Sequence, residues 1–172
     1  QQASRLIVSR YMLPDLLTEN LDIVFCGSAA GKHSAEVKAY YAKGTNRFYK
    51  TLFETGLTDI QVKPENYTDL LTYRIGLTDL NQSEAGMDHQ LTPEKYDVAA
   101  FRAKMLRFRP KIIAFTSNKT GQKFYEKRKI GYGEQSASIN EIKLFVLPST
   151  SGANGHWSKT RHHWHDLKAA LA

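Results

Sequence analysis

Only one cysteine, Cys26, stands in the 172 residues. That excludes a disulfide scaffold and a cysteine cage around a metal. Cys26 lies inside an apolar run and reads as a small core residue. Long hydrophobic runs are also missing: no stretch reaches the roughly 20 residues that span a bilayer. No signal-peptide pattern opens the chain, so a soluble, intracellular (cytoplasmic) protein is expected. No GK[ST] closes the small-residue loop at Gly27 to Gly31, because His33 follows Lys32, and a Walker phosphate loop is excluded. A nucleotide-binding enzyme ranks last for the same reason, and for want of a ribose-binding acid after the first strand. There is no internal repeat, low-complexity tract or linker. The expectation is therefore a single domain over 1–172, with 1–15 as a loosely attached N-terminal arm. Acidic residues are outnumbered: 17 Asp and Glu against 24 Lys and Arg give a net charge of +7. The resulting pI of about 9.4 favours a polyanionic partner.

What is present begins with LDIVFCGSAAGKHSA, Leu21 to Ala35. It reads as a buried strand, Asp22 to Cys26, ending in a loop of Gly, Ser and Ala. Such a loop lets backbone N–H groups approach a ligand closely. At the carboxyl end of a strand in an open parallel sheet, this is where ligands bind. Ser34 to Tyr41 reads as a short helix or an irregular loop. Helices are expected at Asn46 to Thr55 and Pro64 to Leu71, and a strand at Arg74 to Thr78. Gly76 to Pro93 is polar and reads as a loop over the site. Thr92 as N-cap, Pro93 and Glu94 predict the start of a helix that Pro110 stops. Lys111 to Thr116 is a buried strand, Gly121 to Lys129 a basic helix, Ile142 to Pro148 the last strand, and Ser158 to Ala172 a closing helix. Strands alternating with helices predict an α/β fold with a central, mostly parallel sheet.

Three blocks carry a family resemblance. VFCGSAAGKHSAEVKAYYAKGTNRFYKTLFETGLTDIQVKP, starting at Val24, resembles the mismatch-specific uracil-DNA and thymine-DNA glycosylase family of the uracil-DNA glycosylase superfamily. YRIGLTDL (Tyr73 to Leu80) and FVLPSTSGAN (Phe145 to Asn154) resemble two later motifs of that family, in the right order. The resemblance implies a three-layer α/β/α fold and a monofunctional glycosylase that removes uracil from DNA without metal or organic cofactor. DNA, single- or double-stranded, is the implied partner, and a monomer is expected. Where the family's first motif holds its catalytic water on an Asn, this chain has Ala29. A methyl group cannot hold water, so either the role has moved or the protein binds without cutting. Asp79, at a strand end, is the catalytic candidate, with a turn or capping Asp as the plain alternative. Asn81, Asp88 and His89 in the following loop are weaker candidates.

The resemblance further assigns the base to Gly27, Ser28, Ala29, Ala30, Ser34, Tyr41 and Asn118. Tyr41 would stack on the flipped base, with Tyr40 the alternative if the register slips by one. Asn46 reads plainly as a helix N-cap. DNA contacts fall to Lys32, His33, Lys119 and Lys159, and to the loop Ser149, Thr150, Ser151, Gly152, Ala153 and Asn154, which in the family presses into the duplex. That loop is small here, and Leu80 to Gln90 is a possible substitute. His162, His163 and His165 lack a matching carboxylate or cysteine pair and read as the polar face of the last helix rather than a zinc site.

Overall fold

Side chains alternate across four parallel strands, and that alternation builds two cores. The computed structural model describes residues 13–172. The strands are β1 (Ile23–Gly27), β2 (Ile75–Asp79), β3 (Ile112–Phe115), β4 (Gly133–Glu134) and β5 (Lys143–Val146). They form one sheet in the order β2-β1-β3-β5-β4, all parallel except the two-residue edge β4. Phe25, Leu77, Ala114 and Phe145 face one layer, with Phe48, Leu52, Trp164 and Leu167. Val24, Ile113, Phe115 and Val146 face the other, with Phe101, Met105 and Phe124. A strand turns successive residues to opposite faces, so near-continuous apolar runs mark strands covered on both sides.

The helices are α1 (Lys32–Val37), α2 (Phe48–Glu54), α3 (Val98–Phe108), α4 (Asn118–Tyr125), α5 (Trp157–Thr160) and α6 (His162–Ala169). The first core packs on α2 and α6, where Phe25 stacks on Trp164 and meets Phe48 edge-on. The second packs on α3 and α4. This is the expected three-layer α/β/α arrangement.

Several boundaries differ from expectation. The helix expected from Thr92 begins at Val98, because the Asp97 side chain accepts the Ala100 N–H and caps it. Thr92 is not free to cap: its N–H and hydroxyl both donate to Glu84. Pro93–Lys95 is only a 3-10 turn. Pro64–Tyr73 is a 3-10 helix interrupted at Asn66, whose φ of −108° and ψ of 23° are not helical. The basic helix starts earlier, at Asn118, because Ser117 caps it, and it stops at left-handed Glu126, leaving Lys127 to Lys129 outside it. The closing helix is two, broken where the Trp164 N–H reaches back three residues to the Arg161 carbonyl. Asn46 stands one place before the N-cap of α2, and its side chain accepts the Phe48 N–H.

The arm expected over 1–15 lies outside the described residues up to position 12. Of its last three residues, Leu13 is buried, the Pro14 carbonyl accepts from Tyr40 and Asp15 accepts from Lys104, and just beyond the arm Leu16 pairs antiparallel with Leu77 on the outer edge of β2. Close approach of this segment explains Gly76. A Cβ there would lie 2.6 Å from Leu21 Cδ1 and 2.7 Å from the Leu16 carbonyl oxygen. The backbone oxygen cannot step aside without breaking the Leu16–Leu77 pair. Gly76→Ala is expected to cost about 1–3 kcal/mol by overpacking, read as a lower urea midpoint with unchanged slope; an unaltered midpoint would mean that the segment is loosely held.

Candidate active site

Because β1, β2, β3 and β5 run parallel, the loops after all four emerge at one edge. The sheet order reverses between β1 and β3, which opens a crevice there. In the strand register Gly27 stands opposite Asp79 on one side, and Cys26 opposite Phe115 on the other, which sets Thr116 beside the end of β1. A Cβ on Gly27 would lie 2.7 Å from Asp79 Oδ1, 3.4 Å from Tyr41 Oη and 3.5 Å from Thr116 Oγ1. Three polar groups from three distant stretches therefore converge over one bare α-carbon. Tyr41 Oη and Thr116 Oγ1 are hydrogen-bonded at 3.0 Å.

Asp79 is 7% exposed. Burial first, and then the negative charge of Asp15, pushes its carboxyl up to about 7, against a backbone hydrogen bond from Gly27 and the charge of Lys104. A proton-accepting group is most useful when its pKa lies near working pH. Asp15 is held in turn by three donors: Thr78 Oγ1 at 2.6 Å, Gln82 Nε2 at 2.8 Å and Lys104 Nζ at 2.6 Å. Gln82 also donates to the Asp79 carbonyl at 3.0 Å. A cavity of about 320 Å³ opens beside these groups, with Asp79, Gln82, Asp97 and Lys104 in its wall. A larger hollow of about 680 Å³ lies at the opposite end of the sheet, where β3 and β5 begin, and holds none of the candidate residues.

Tyr41 takes a left-handed backbone conformation, with φ of 52°. Its ring stacks on Phe48 at 4.0 Å between centroids. Burial, followed by the Asp79 charge, raises its hydroxyl well above the ordinary value, so it stays neutral. Tyr40 is instead a core residue whose hydroxyl donates to the Pro14 carbonyl. Ser34 is buried, and its Oγ accepts the Ala42 N–H at 2.9 Å, fixing the turn that presents Tyr41. Ser28 bonds Thr120 at 2.8 Å between hydroxyls, tying the small-residue loop to α4. Ala29 is half-buried, and Ala30 bridges to Ala85. The Asn118 amide donates to the Ile130 carbonyl and accepts from Gln122, which fixes the segment after α4.

The loop after β5 is a chain of side-chain turns. Ser149 Oγ accepts the Ser151 N–H, Ser151 Oγ accepts the Ala153 N–H, and Asn154 donates to the Ser149 carbonyl. Thr150 is buried, while Gly152 and Ala153 are exposed. Arg47 clasps the loop: its N–H donates to the Thr150 carbonyl, its guanidinium donates to the Ser151 carbonyl at 2.8 Å, and it lies 5.4 Å from the Trp157 ring. Lys32, His33, Lys119 and Lys159 are exposed on α1, α4 and α5. Asn81 is buried and bonds Glu84, whereas Asp88 and His89 are exposed in a 3-10 turn. Among the described residues no group of three or more His, Cys, Asp or Glu could hold a metal. The His162 and His163 rings lie 4.1 Å apart with their planes tilted by 35°, and His163 faces Asp166 at 3.9 Å.

Asp15, Gln82, Lys104, Thr116 and Arg47 were not singled out from sequence. Thr116 had a signal, as the polar residue that closes a predicted buried strand. Asp15 had none, being 64 positions from the carboxylate it touches electrostatically.

The uracil DNA glycosylase superfamily model matches residues 14–169. The chain belongs to the uracil DNA glycosylase superfamily. A solution structure from Methanosarcina acetivorans, provisionally described as a uracil DNA glycosylase, superimposes with a TM-score of 0.70 at 24% identity. The match covers 93% of this chain and 96% of that one, and shows a shared fold.

The raised pKa of Asp79 has a stability consequence of definite sign. Its carboxyl titrates near 3.8 when unfolded and near 7 when folded. Between those values the folded state binds more protons, so stability falls as pH rises, by up to about 1.4 kcal/mol per pH unit. The penalty is complete above the folded value and absent below the unfolded one. Asp79→Asn is expected to be more stable than the wild type in urea at pH 8, with the gap closing toward pH 4. A gap that does not change with pH would show that the carboxyl is not held protonated by the fold.

Proposed function

We propose that this protein is a monofunctional DNA glycosylase that hydrolyses the N-glycosidic bond of uracil in DNA and leaves an abasic site for base excision repair. The observation that carries the reading is the convergence of Asp79, Tyr41 and Thr116 over Gly27, at the crevice of a superfamily fold. A base in a duplex must leave the stack before chemistry can reach it. The half-buried Tyr41 ring, backed by Phe48, supplies a flat platform for that base. The small-residue loop after β1 lets backbone N–H groups approach the uracil carbonyls. The first motif resembles that of the mismatch-specific uracil-DNA and thymine-DNA glycosylases, with Ser28, Ala29 and Ala30 standing where that family has Ile, Asn and Pro.

The chemistry then falls to Asp79. Its carboxylate accepts a proton from water as the water oxygen bonds to C1′ of the deoxyribose. The C1′–N1 bond breaks, its electron pair leaves with the uracil as an anion, and that anion takes up a proton from solvent. The transition state carries positive charge on the sugar, which a nearby carboxylate stabilises. Thus the position of the water-holding group shifts from the first motif, where Ala29 stands, to the end of the neighbouring strand. Exposed Lys32, His33, Lys119 and Lys159 suit phosphate contact, which holds DNA without reading sequence. A second reading, a non-cutting binder of uracil-containing or abasic DNA, draws on Ala29 alone.

Single-turnover cleavage of a uracil oligonucleotide, developed with alkali, separates the two. Asp79→Asn is expected to lose about 10²-fold or more in rate. The wild-type rate should rise with pH and level off above about 7, as the carboxyl ionises. Asp15→Asn, by removing a neighbouring negative charge, should move that rise to lower pH. Wild-type protein that retains the DNA without cutting it favours the binder, and a rate indifferent to Asp79→Asn removes Asp79 from the mechanism.

A further inference from the structure

A glycosylase that acts on duplex DNA needs a side chain to fill the gap left by the extruded nucleotide. Apolar, unbranched or wedge-shaped residues serve this role in proteins that part base steps. The loop after β5 exposes Gly152, Ala153, Gly155 and His156, and so presents no apolar side chain larger than alanine. The loop after β2 offers more. Met87 at its tip is 61% exposed, more than any other large apolar side chain among the described residues.

This loop is fastened to the base-binding loop. The Asn81 N–H donates to the Ser28 carbonyl at 2.8 Å and the Gly86 N–H to the Ala30 carbonyl at 2.9 Å, beside the Ala30–Ala85 bridge. Met87 is therefore one residue from a direct tie to the crevice lip. The tip is also closed on itself: the Met87 N–H donates to Gln90 Oε1 at 2.9 Å, and the Gln90 N–H to the Met87 carbonyl at 2.8 Å. At the root, Glu84 takes the Asn81 amide and both donors of Thr92. An apolar side chain held out on so well-tied a loop has ordering already in place for a partner. Asp88 beside it disfavours a phosphate, so the tip suits bases, while exposed Lys32 and His33 on α1 suit the backbone.

We propose that Met87 enters the base stack of double-stranded DNA and occupies the space vacated by the extruded nucleotide. This rests on the DNA glycosylase reading above. The flexible thioether chain fits the irregular gap between unstacked bases. Single-turnover excision should be compared on the same uracil strand, single and paired opposite guanine, for the wild type, Met87→Ala and Met87→Leu. A second duplex with 2-aminopurine beside the uracil reports unstacking by fluorescence. Met87→Ala should slow duplex excision about tenfold or more while leaving the single strand within about twofold, and Met87→Leu should restore most of the loss. The fluorescence rise should be lost with Met87→Ala and kept with Met87→Leu. Equal rates for wild type and Met87→Ala on the duplex, equal slowing on both substrates, or a wild type confined to single strands would each overturn the proposal. If the wild type cuts neither substrate, the activity reading fails. The fluorescence then decides alone: a Met87-dependent rise upholds the wedge, and no rise overturns it.

Discussion

The bare α-carbon of Gly27 is the constraint on which the site depends. The parallel register brings Asp79 and Thr116 to either side of it, and the turn after α1 brings the Tyr41 hydroxyl over it. Any side chain at position 27 would meet the Asp79 carboxylate at less than contact distance. Four segments thus share a volume that only glycine leaves open. The rest of the fold serves that meeting. Two apolar layers hold the strands in register, Ser34 and Phe48 set the Tyr41 ring, and Arg47 fixes the loop after β5.

Burying a carboxyl in such a place works against stability, because a charged group is disfavoured away from water. Among the described residues no cation pairs directly with Asp79. The chain sets the Asp15 carboxylate nearby and pairs that one with Lys104. The ammonium is thereby one group removed from Asp79, while its direct contact is with Asp15. The effect is a carboxyl poised near neutrality rather than one locked as an anion. Sites that perform proton transfer are where such perturbed groups gather.

Much of the fold was legible. The apolar runs at 22–26, 111–116 and 142–148 announced buried strands, and the small-residue loop announced the crevice, because both signals are local. Boundaries were less so. Thr92 followed by Pro93 has the chemistry of a helix start, but Glu84 engages both Thr92 donors across the loop, and Asp97 caps instead. That competition is tertiary and leaves no trace in spacing. The same holds for the site. Asp79 was visible as an acid at a strand end, while Asp15, Lys104 and Arg47 act through contacts over long sequence separations. Met87 looked like one residue of a polar loop until the ties to Ser28 and Ala30 placed it at the lip.

Leu13 to Leu17 has a double duty that follows from the Leu16–Leu77 pair. Among the described residues β2 is the last strand on its side of the sheet, and an open strand edge invites pairing with other chains. Leu16 closes part of that edge with two backbone hydrogen bonds. One residue earlier, Asp15 carries the charge that helps set the proton affinity of Asp79. Edge protection and acid–base tuning are therefore wired to the same short segment of chain. Lifting this segment would uncover the strand edge and withdraw the Asp15 charge together, whereas Asp15→Asn would remove the charge and leave the edge paired.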